Sequence, residues 1–159
     1  MNWNETELSY RRAEIKSANS VRLVIVMLDM LVADLQRAIE AIHISDVEKR
    51  SAEIKHAFLV LQQLEGSLDM EKGGQAAKNF SFFYSVLRSK ILEAHMKISA
   101  PMLQRQIEHI LNVRSAWEQV DPAKTEVAGT AQGTPEPALA TSIATTALAD
   151  EPAGSSWSA

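Results

Sequence analysis

Two Glu-x-x-His pairs are the residues of this chain best suited to chemistry. They are Glu40 with His43 and Glu53 with His56. On a helix this spacing puts both side chains on one face, and paired copies of the motif hold the metals of di-iron helical bundles. A metal-binding bundle is therefore one hypothesis. Each pair, however, flanks an apolar stripe near a turn, where charges are typical of a solvated surface, so we expect no metal site and no cofactor.

The remaining polar residues indicate no catalytic site. His95 and His109 have no serine or carboxylate at a spacing that suggests catalysis, and the chain contains no cysteine. Gly73-Gly74 precedes a predicted helix, but the nearby Asp69 argues against phosphate binding and for a tight turn. We predict that the protein is not an enzyme.

Charge divides the chain into two parts. Residues 1–120 carry 15 basic and 15 acidic side chains, whereas residues 121–159 carry one lysine and five acids. Neither part offers the clustered basic residues that nucleic acid or anionic lipid requires. The most apolar run, residues 23–32, is interrupted by Asp29 and is too short to cross a bilayer. Since the N-terminus also lacks an apolar signal segment, we expect a cytoplasmic protein without nucleic-acid binding or membrane insertion.

Four helices are predicted from the spacing of apolar residues. Their main stripes, in chain order, are Leu28, Leu31, Leu35, Ile39 and Ile42; Ile54, Ala57, Phe58, Leu61, Leu64 and Leu68; Ala76, Phe80, Phe83, Leu87, Ile91 and Ala94; and Leu103, Ile107, Ile110, Leu111 and Trp117. The first covers about residues 19–42, with Ser17, Asn19 and Ser20 available as caps, and the second begins near Ser45, where Ser45-Asp46-Val47-Glu48 has the capping-box spacing. The third follows the glycine pair, and the fourth starts around residues 99–101, with proline in a first turn. Because the connections are short, neighbouring helices are expected to be antiparallel. The predicted fold is an all-α, up-and-down four-helix bundle.

The last 39 residues have a different composition. Residues 121–159 are mostly Ala, Thr, Ser, Pro and Gly, with Trp157 as the only aromatic side chain. Such a segment buries too little apolar surface to offset its ordering entropy, so we predict a disordered C-terminal tail, with a transient helical turn between Pro137 and Asp150. The expected organisation is an N-terminal segment over 1–18, the bundle over 19–120 and the tail over 121–159.

The first and third predicted helices carry more apolar surface than one core stripe uses. The residues off the main stripes are Leu23, Met27 and Met30 in the first helix and Phe82 and Val86 in the third. Surplus apolar surface indicates either wider contacts within the protein or a binding site for another protein. The pattern leaves open cover by the N-terminal segment, a groove for a partner's amphipathic helices, and self-association.

Residues 67–117 resemble the second half of the flagellin export chaperone family, whose members are small helical bundles. The matching residues in this half are Ser67, Leu68, Asp69, Gly73, Gly74, Asn79, Tyr84, Leu92, Ala94, Arg114, Ala116 and Trp117. Upstream matches are Tyr10, Ile15, Ser17, Ala18 and Asp29. The chain departs from the family pattern at Ser20, Leu28, Met30 and His95, where the family has proline, tyrosine, glycine and asparagine.

The resemblance implies a cytosolic chaperone that binds the C-terminal segment of flagellin, prevents premature polymerisation and supports flagellar export. Contact with the export gate is a further implication. The client-binding residues are then expected to be Leu23, Met27, Met30, Phe82 and Val86, with Tyr10 and Ile15 covering the groove until the client displaces them. A homodimer in the absence of client, a di-iron-like bundle and a self-associating structural bundle are the alternatives.

Overall fold

The computed structural model describes residues 3–120, which form four helices. They are α1 (Trp3–His43), α2 (Val47–Gly66), α3 (Gly74–Met96) and α4 (Ala100–Gln119). Residues 3–120 contain no strand, and the prediction of an all-α helical bundle is confirmed. No helix in this range combines the length and the apolar character needed to cross a membrane. The tail predicted for 121–159 lies outside the described residues.

The first helix is much longer than its apolar stripe. It begins at Trp3 rather than near Asn19 and continues without a break to His43. Ser20, expected among the capping residues, lies inside the helix, where its hydroxyl donates to the carbonyl of Lys16 at 2.9 Å. The predicted start was wrong because a serine can satisfy its hydroxyl four residues back along a helix as well as at a cap.

Local capping interactions and turns determine where the other helices begin and end. Asp46, rather than Ser45, caps α2, since its carboxylate accepts a hydrogen bond from the Lys49 N–H at 2.9 Å. Ser45 itself has a φ of 59° and forms the left-handed turn that ends α1. Ser99 caps α4, and Pro101 lies in its first turn, as predicted. Three-residue connections therefore join α1 to α2 and α3 to α4.

Polar contacts show how α1 and α2 run relative to each other. Asp34 of α1 contacts His56 of α2, and Glu40, further along α1, pairs with Lys49, which comes earlier on α2. The two helices are therefore antiparallel. Helices α1 and α3 each pack chiefly against α2 and α4, so they lie diagonally across the bundle. This adjacency agrees with an up-and-down bundle. The directions of α3 and α4 relative to their neighbours stay a prediction.

One apolar core runs between the four helices. Its largest enclosed side chains are Leu28, Leu31 and Leu35 of α1, Leu61 and Leu64 of α2, Tyr84, Leu87 and Ile91 of α3, and Leu103, Ile107, Ile110 and Val113 of α4. Most of these residues belong to the stripes predicted from the sequence. Each buried leucine contributes about 1.5–3 kcal/mol relative to an exposed one, so the core is the main source of stability.

Two leucines on α2 provide a test of this core. Leu61 is completely buried, whereas Leu59 is 52% exposed. We expect Leu61→Ala to lower the free energy of unfolding by about 2–5 kcal/mol, because it leaves a cavity, and Leu59→Ala to change it by less than about 0.5 kcal/mol. Urea denaturation followed by circular dichroism measures both values. Equal losses in the two variants would contradict the described packing of α2.

Candidate functional site

An apolar cavity of about 390 Å³ opens at the end of the bundle where α2 leads into α3. Its apolar lining consists of Val21, Leu23, Val24 and Met27 from α1, Leu68 from the α2–α3 connection, Ala76, Ala77, Phe80 and Tyr84 from α3, and Trp117 from α4. Polar residues lining it are Ser17, Ser20, Ser67 and Asp69. We call this feature the Trp117 cavity. Such a lining suits apolar side chains of a partner better than a charged or strongly polar ligand.

Three aromatic rings form one wall of the Trp117 cavity. The centroid of Phe80 lies 5.3 Å from that of Trp117 and 6.3 Å from that of Tyr84. Burial, together with the nearby charge of Glu65, raises the pKa of the Tyr84 phenol, which therefore stays neutral. The indole N–H of Trp117 is buried without a hydrogen-bond partner among the described residues. The wall is thus rigid and offers ring surface rather than charge.

The glycine pair shapes the turn beside the cavity. A Cβ atom at Gly73 would lie 2.7 Å from both the Asp69 carbonyl oxygen and the Ala77 Cβ, so only glycine fits there. Gly74 has a φ of +49°, which glycine adopts at little cost. The Asp69 carboxylate accepts from the Lys72 N–H at 2.9 Å, and backbone hydrogen bonding lowers the pKa of that carboxyl. The prediction of a tight turn is confirmed.

The predicted client-binding residues do not form one cluster. Leu23, which is 57% exposed, and Met27, which packs partly buried against the core, both line the Trp117 cavity. Met30 and Phe82 are exposed and lie outside the cavity lining, as does the half-buried Val86. The structure therefore brings together two of the five residues, and client binding by any of them stays a prediction.

The predicted groove cover is only partly described. Tyr10 lies near the start of α1, and its side chain is 72% exposed. The side chain of Ile15 lies outside the described residues. Among the described side chains of this helix, Ser17 and Ser20 are the nearest to the N-terminus that line the Trp117 cavity. The covering role of Tyr10 and Ile15 stays a prediction.

Comparison with known proteins decides the family. The family model described as flagellar protein FliS matches residues 3–124, which include all four helices and the Trp117 cavity. This chain belongs to the FliS family. The membership confirms the family predicted from the sequence, and because it is a family of chaperones, it also confirms that the chain is not an enzyme.

Individual FliS relatives match over most of their length. The flagellar secretion chaperone FliS of Vibrio cholerae is 28% identical over 118 residues, which are 72% of this chain and 87% of that protein. The flagellar secretion chaperone FliS of Salmonella typhimurium is 28% identical over 110 residues, covering 68% and 81%. The flagellar secretion chaperone FliSB of Pseudomonas aeruginosa is 24% identical over 108 residues, covering 68% and 86%.

One ion pair joins two positions at which this chain matches the FliS pattern. Arg114 of α4 donates to both carboxylate oxygens of Asp29 on α1, and it also pairs with Glu118 at 2.8 Å. Hydrogen bonding to Asp29 raises the pKa of the Arg114 guanidinium. Trp117 follows Arg114 by less than one helical turn. The pair therefore holds the end of α4 against α1 where Trp117 closes the cavity wall.

A polar cluster that was not predicted from the sequence lies between α1 and α2. Asp34 is fully buried; one carboxylate oxygen accepts from Arg37 at 2.5 Å, and the other lies 2.7 Å from His56 Nδ1. Burial raises the pKa of the Asp34 carboxyl despite these partners. Arg37 also donates to Glu53 at 2.8 Å. A lone acid within an apolar stretch was the only sequence signal for this cluster.

These contacts bear on the metal hypothesis. Glu53 and His56 are each engaged with a side chain of α1, and Glu40 pairs with Lys49 at 3.4 Å. Among residues 3–120, no three His, Asp or Glu side chains are grouped as a metal ion requires. Glu40, Glu53 and His56 thus contribute to the contact between α1 and α2.

A half-buried histidine lies near the opposite end of the bundle. Burial, together with the charge of Arg50 on α2, lowers the pKa of His95 on α3. His95 Nδ1 and Arg50 Nε are both buried and lack hydrogen-bond partners among the described residues. His95 is one of the departures from the family pattern noted above. The folded protein therefore favours a neutral ring at a position where the pattern has an uncharged asparagine.

This histidine makes stability depend on pH. In the unfolded chain His95 takes up a proton near the ordinary histidine pKa of 6.5, whereas in the folded protein its pKa is lower. Below pH 6.5 the unfolded chain therefore binds more protons than the folded protein does. The contribution of neutral His95 to the free energy of unfolding is complete above that pH and is lost as the pH falls below it. We expect wild type to lose stability relative to His95→Asn as the pH falls from about 7.5 to 5.5. Urea denaturation at several pH values measures the difference, with His43→Asn as the control for loss of an exposed histidine. A difference that does not change with pH would contradict the described burial.

Proposed function

We propose that this protein is a flagellar secretion chaperone that binds the C-terminal segment of flagellin in the cytoplasm and keeps it from polymerising before export. Membership of the FliS family supports the chaperone role, as do the relatives that carry that name. The observation that carries the binding proposal is the open Trp117 cavity with its apolar lining. The export gate is the downstream partner in this proposal.

The Trp117 cavity has the properties of an anchor for a client side chain. Its volume of about 390 Å³ falls in the range of small ligand sites and accommodates one or two apolar side chains. Leu23 at its edge is 57% exposed, so a client reaches it without rearrangement of the core. An apolar side chain entering the cavity gains contact with the Phe80 and Trp117 rings and leaves water at the same time.

Exposed apolar residues beyond the cavity favour a longer client segment. Leu23, Val26 and Met30 are spaced three and four apart on α1 and are 57%, 52% and 41% exposed. Phe82 of α3 is 46% exposed. A disordered segment that folds as helices over these residues buries a large apolar area, and the ordering of the client costs about 2–5 kcal/mol or more. That cost moderates the affinity, which suits a carrier that must release its cargo.

Leu23 and Leu59 form a matched pair for testing the anchor. Both are leucines on helices with similar exposure, 57% and 52%, but only Leu23 lines the Trp117 cavity. We expect Leu23→Glu to weaken binding of the flagellin C-terminal segment by about tenfold or more, because a carboxylate at the cavity edge opposes apolar burial. Leu59→Glu is expected to leave the affinity unchanged. Isothermal titration calorimetry measures both.

Thermal unfolding of the same two variants controls for misfolding, since neither position is in the core. Equal effects of Leu23→Glu and Leu59→Glu on binding would argue against the cavity as the anchor. Absence of binding by the wild-type protein would remove the flagellin proposal and turn attention to self-association, the homodimer predicted as an alternative.

The extent of the client surface is tested on α3. Phe82 and Leu92 are each 46% exposed on this helix. If the client passes over Phe82, Phe82→Ala should weaken binding about 3–10-fold through lost apolar contact, whereas Leu92→Ala should not. Calorimetry with the complete C-terminal segment distinguishes the two variants. Wild-type affinity in Phe82→Ala would confine the client to other surfaces.

A further inference from the structure

Helix α4, which precedes the C-terminal tail in the sequence, ends beside the Trp117 cavity. Trp117 lines the cavity, and α4 ends two residues later at Gln119. The FliS family model ends at residue 124, so residues 125–159 are an addition to the part that matches it. A 35-residue extension therefore begins within a few residues of the cavity wall.

The tail contains one segment with suitable chemistry. Between residues 121 and 159 most side chains are small or polar, but Leu139 and Ile143 lie four residues apart, and Leu148 follows. On a helix Leu139 and Ile143 share one face. Pro137 at the start of this segment suits a first helical turn, and Pro152 follows its end. The segment thus has the short apolar stripe that an apolar cavity accepts.

Chain length allows this segment to return to the cavity. Eighteen residues lie between Val120 and Leu139, and an extended chain of that length spans up to about 60 Å, roughly twice the length of α4. A short flexible tether gives an effective concentration on the order of 1 mM. A segment with an intrinsic dissociation constant of about 0.2 mM would then fill the cavity most of the time and weaken a competing ligand about sixfold.

From these observations we infer that residues 137–150 occupy the Trp117 cavity of the same molecule, with Leu139 and Ile143 as the inserted side chains. The occupancy itself does not depend on the identity of the client. Its consequence rests on the proposed function: the tail competes with the flagellin segment and releases the cavity when a client of higher affinity arrives.

Occupancy is tested in the full-length chain without any client. Trp3→Phe and Trp157→Phe leave Trp117 as the sole tryptophan and make its emission a reporter of the cavity. In this background Leu139→Asp/Ile143→Asp is compared with Thr130→Asp/Thr134→Asp, which adds the same charge to the tail outside the segment. We expect a red-shifted Trp117 emission only in the Leu139→Asp/Ile143→Asp protein, because water enters the vacated cavity.

A second measurement identifies the occupant. A synthetic peptide of residues 135–152 should bind the full-length Leu139→Asp/Ile143→Asp protein and reverse its emission shift, and it should bind the threonine-variant control about sixfold more weakly. Identical emission in both variants would overturn the inference. So would an emission difference that disappears on dilution, because it would assign the cavity to the tail of a second copy.

Titration with the flagellin segment distinguishes a failure of this inference from a failure of the proposed function. With the flagellin C-terminal segment as ligand, Leu139→Asp/Ile143→Asp should bind about sixfold more tightly than the threonine-variant control. If neither protein binds that segment, the flagellin proposal fails while the emission and peptide results still decide the occupancy. If both bind it equally, the tail does not compete and the inferred regulation is wrong.

Discussion

The difference in length between α1 and its neighbours determines where the bundle stays open. Helix α1 has 41 residues, whereas α2, α3 and α4 have 20 to 23. The contact of Asp34 with His56 sets the register of the antiparallel helices α1 and α2. If both helices are followed from this contact at the same rise per residue, the end of α2 lies opposite about Val24 of α1. Beyond that point α2 no longer covers α1. The Trp117 cavity lies there, so an apolar surface that would otherwise be core remains open.

Periodicity predicted the core but not where each helix ends. Leu28, Leu35 and Leu61 were placed by their spacing and are fully buried. The start of α1 was missed because a helix that projects beyond its partners needs no apolar stripe, so its N-terminal part has no periodic signal. Asp34 was missed because an acid in an apolar stretch is expected to be exposed to solvent. Its burial depends on contact with His56, which lies 22 residues away in the sequence.

The candidate site was predictable in part for similar physical reasons. Leu23 and Met27 stood out because they lie off the core stripe, and both line the cavity. Their spacing could not distinguish them from Phe82, which lies outside the cavity. A position off the core stripe indicates surplus apolar surface but does not show which surface feature the residue lines. Asp29 and Arg114 are 85 residues apart, so their contact depends on the packing of α4 against α1. One sequence without aligned homologues offers no signal for such a pair.

An open cavity at one end of a well-packed bundle reconciles stability with binding. The enclosed leucines, such as Leu35, Leu61 and Leu64, do not line the cavity, so they hold the four helices together independently of what fills it. Filling the cavity then adds contacts without requiring the core to rearrange, and emptying it does not unfold the bundle. The Asp29–Arg114 pair holds the end of α4 against α1 next to Trp117, so the aromatic wall of the cavity is supported by contacts within the bundle itself. An apolar segment held in such a cavity can therefore be exchanged for another without unfolding of the bundle.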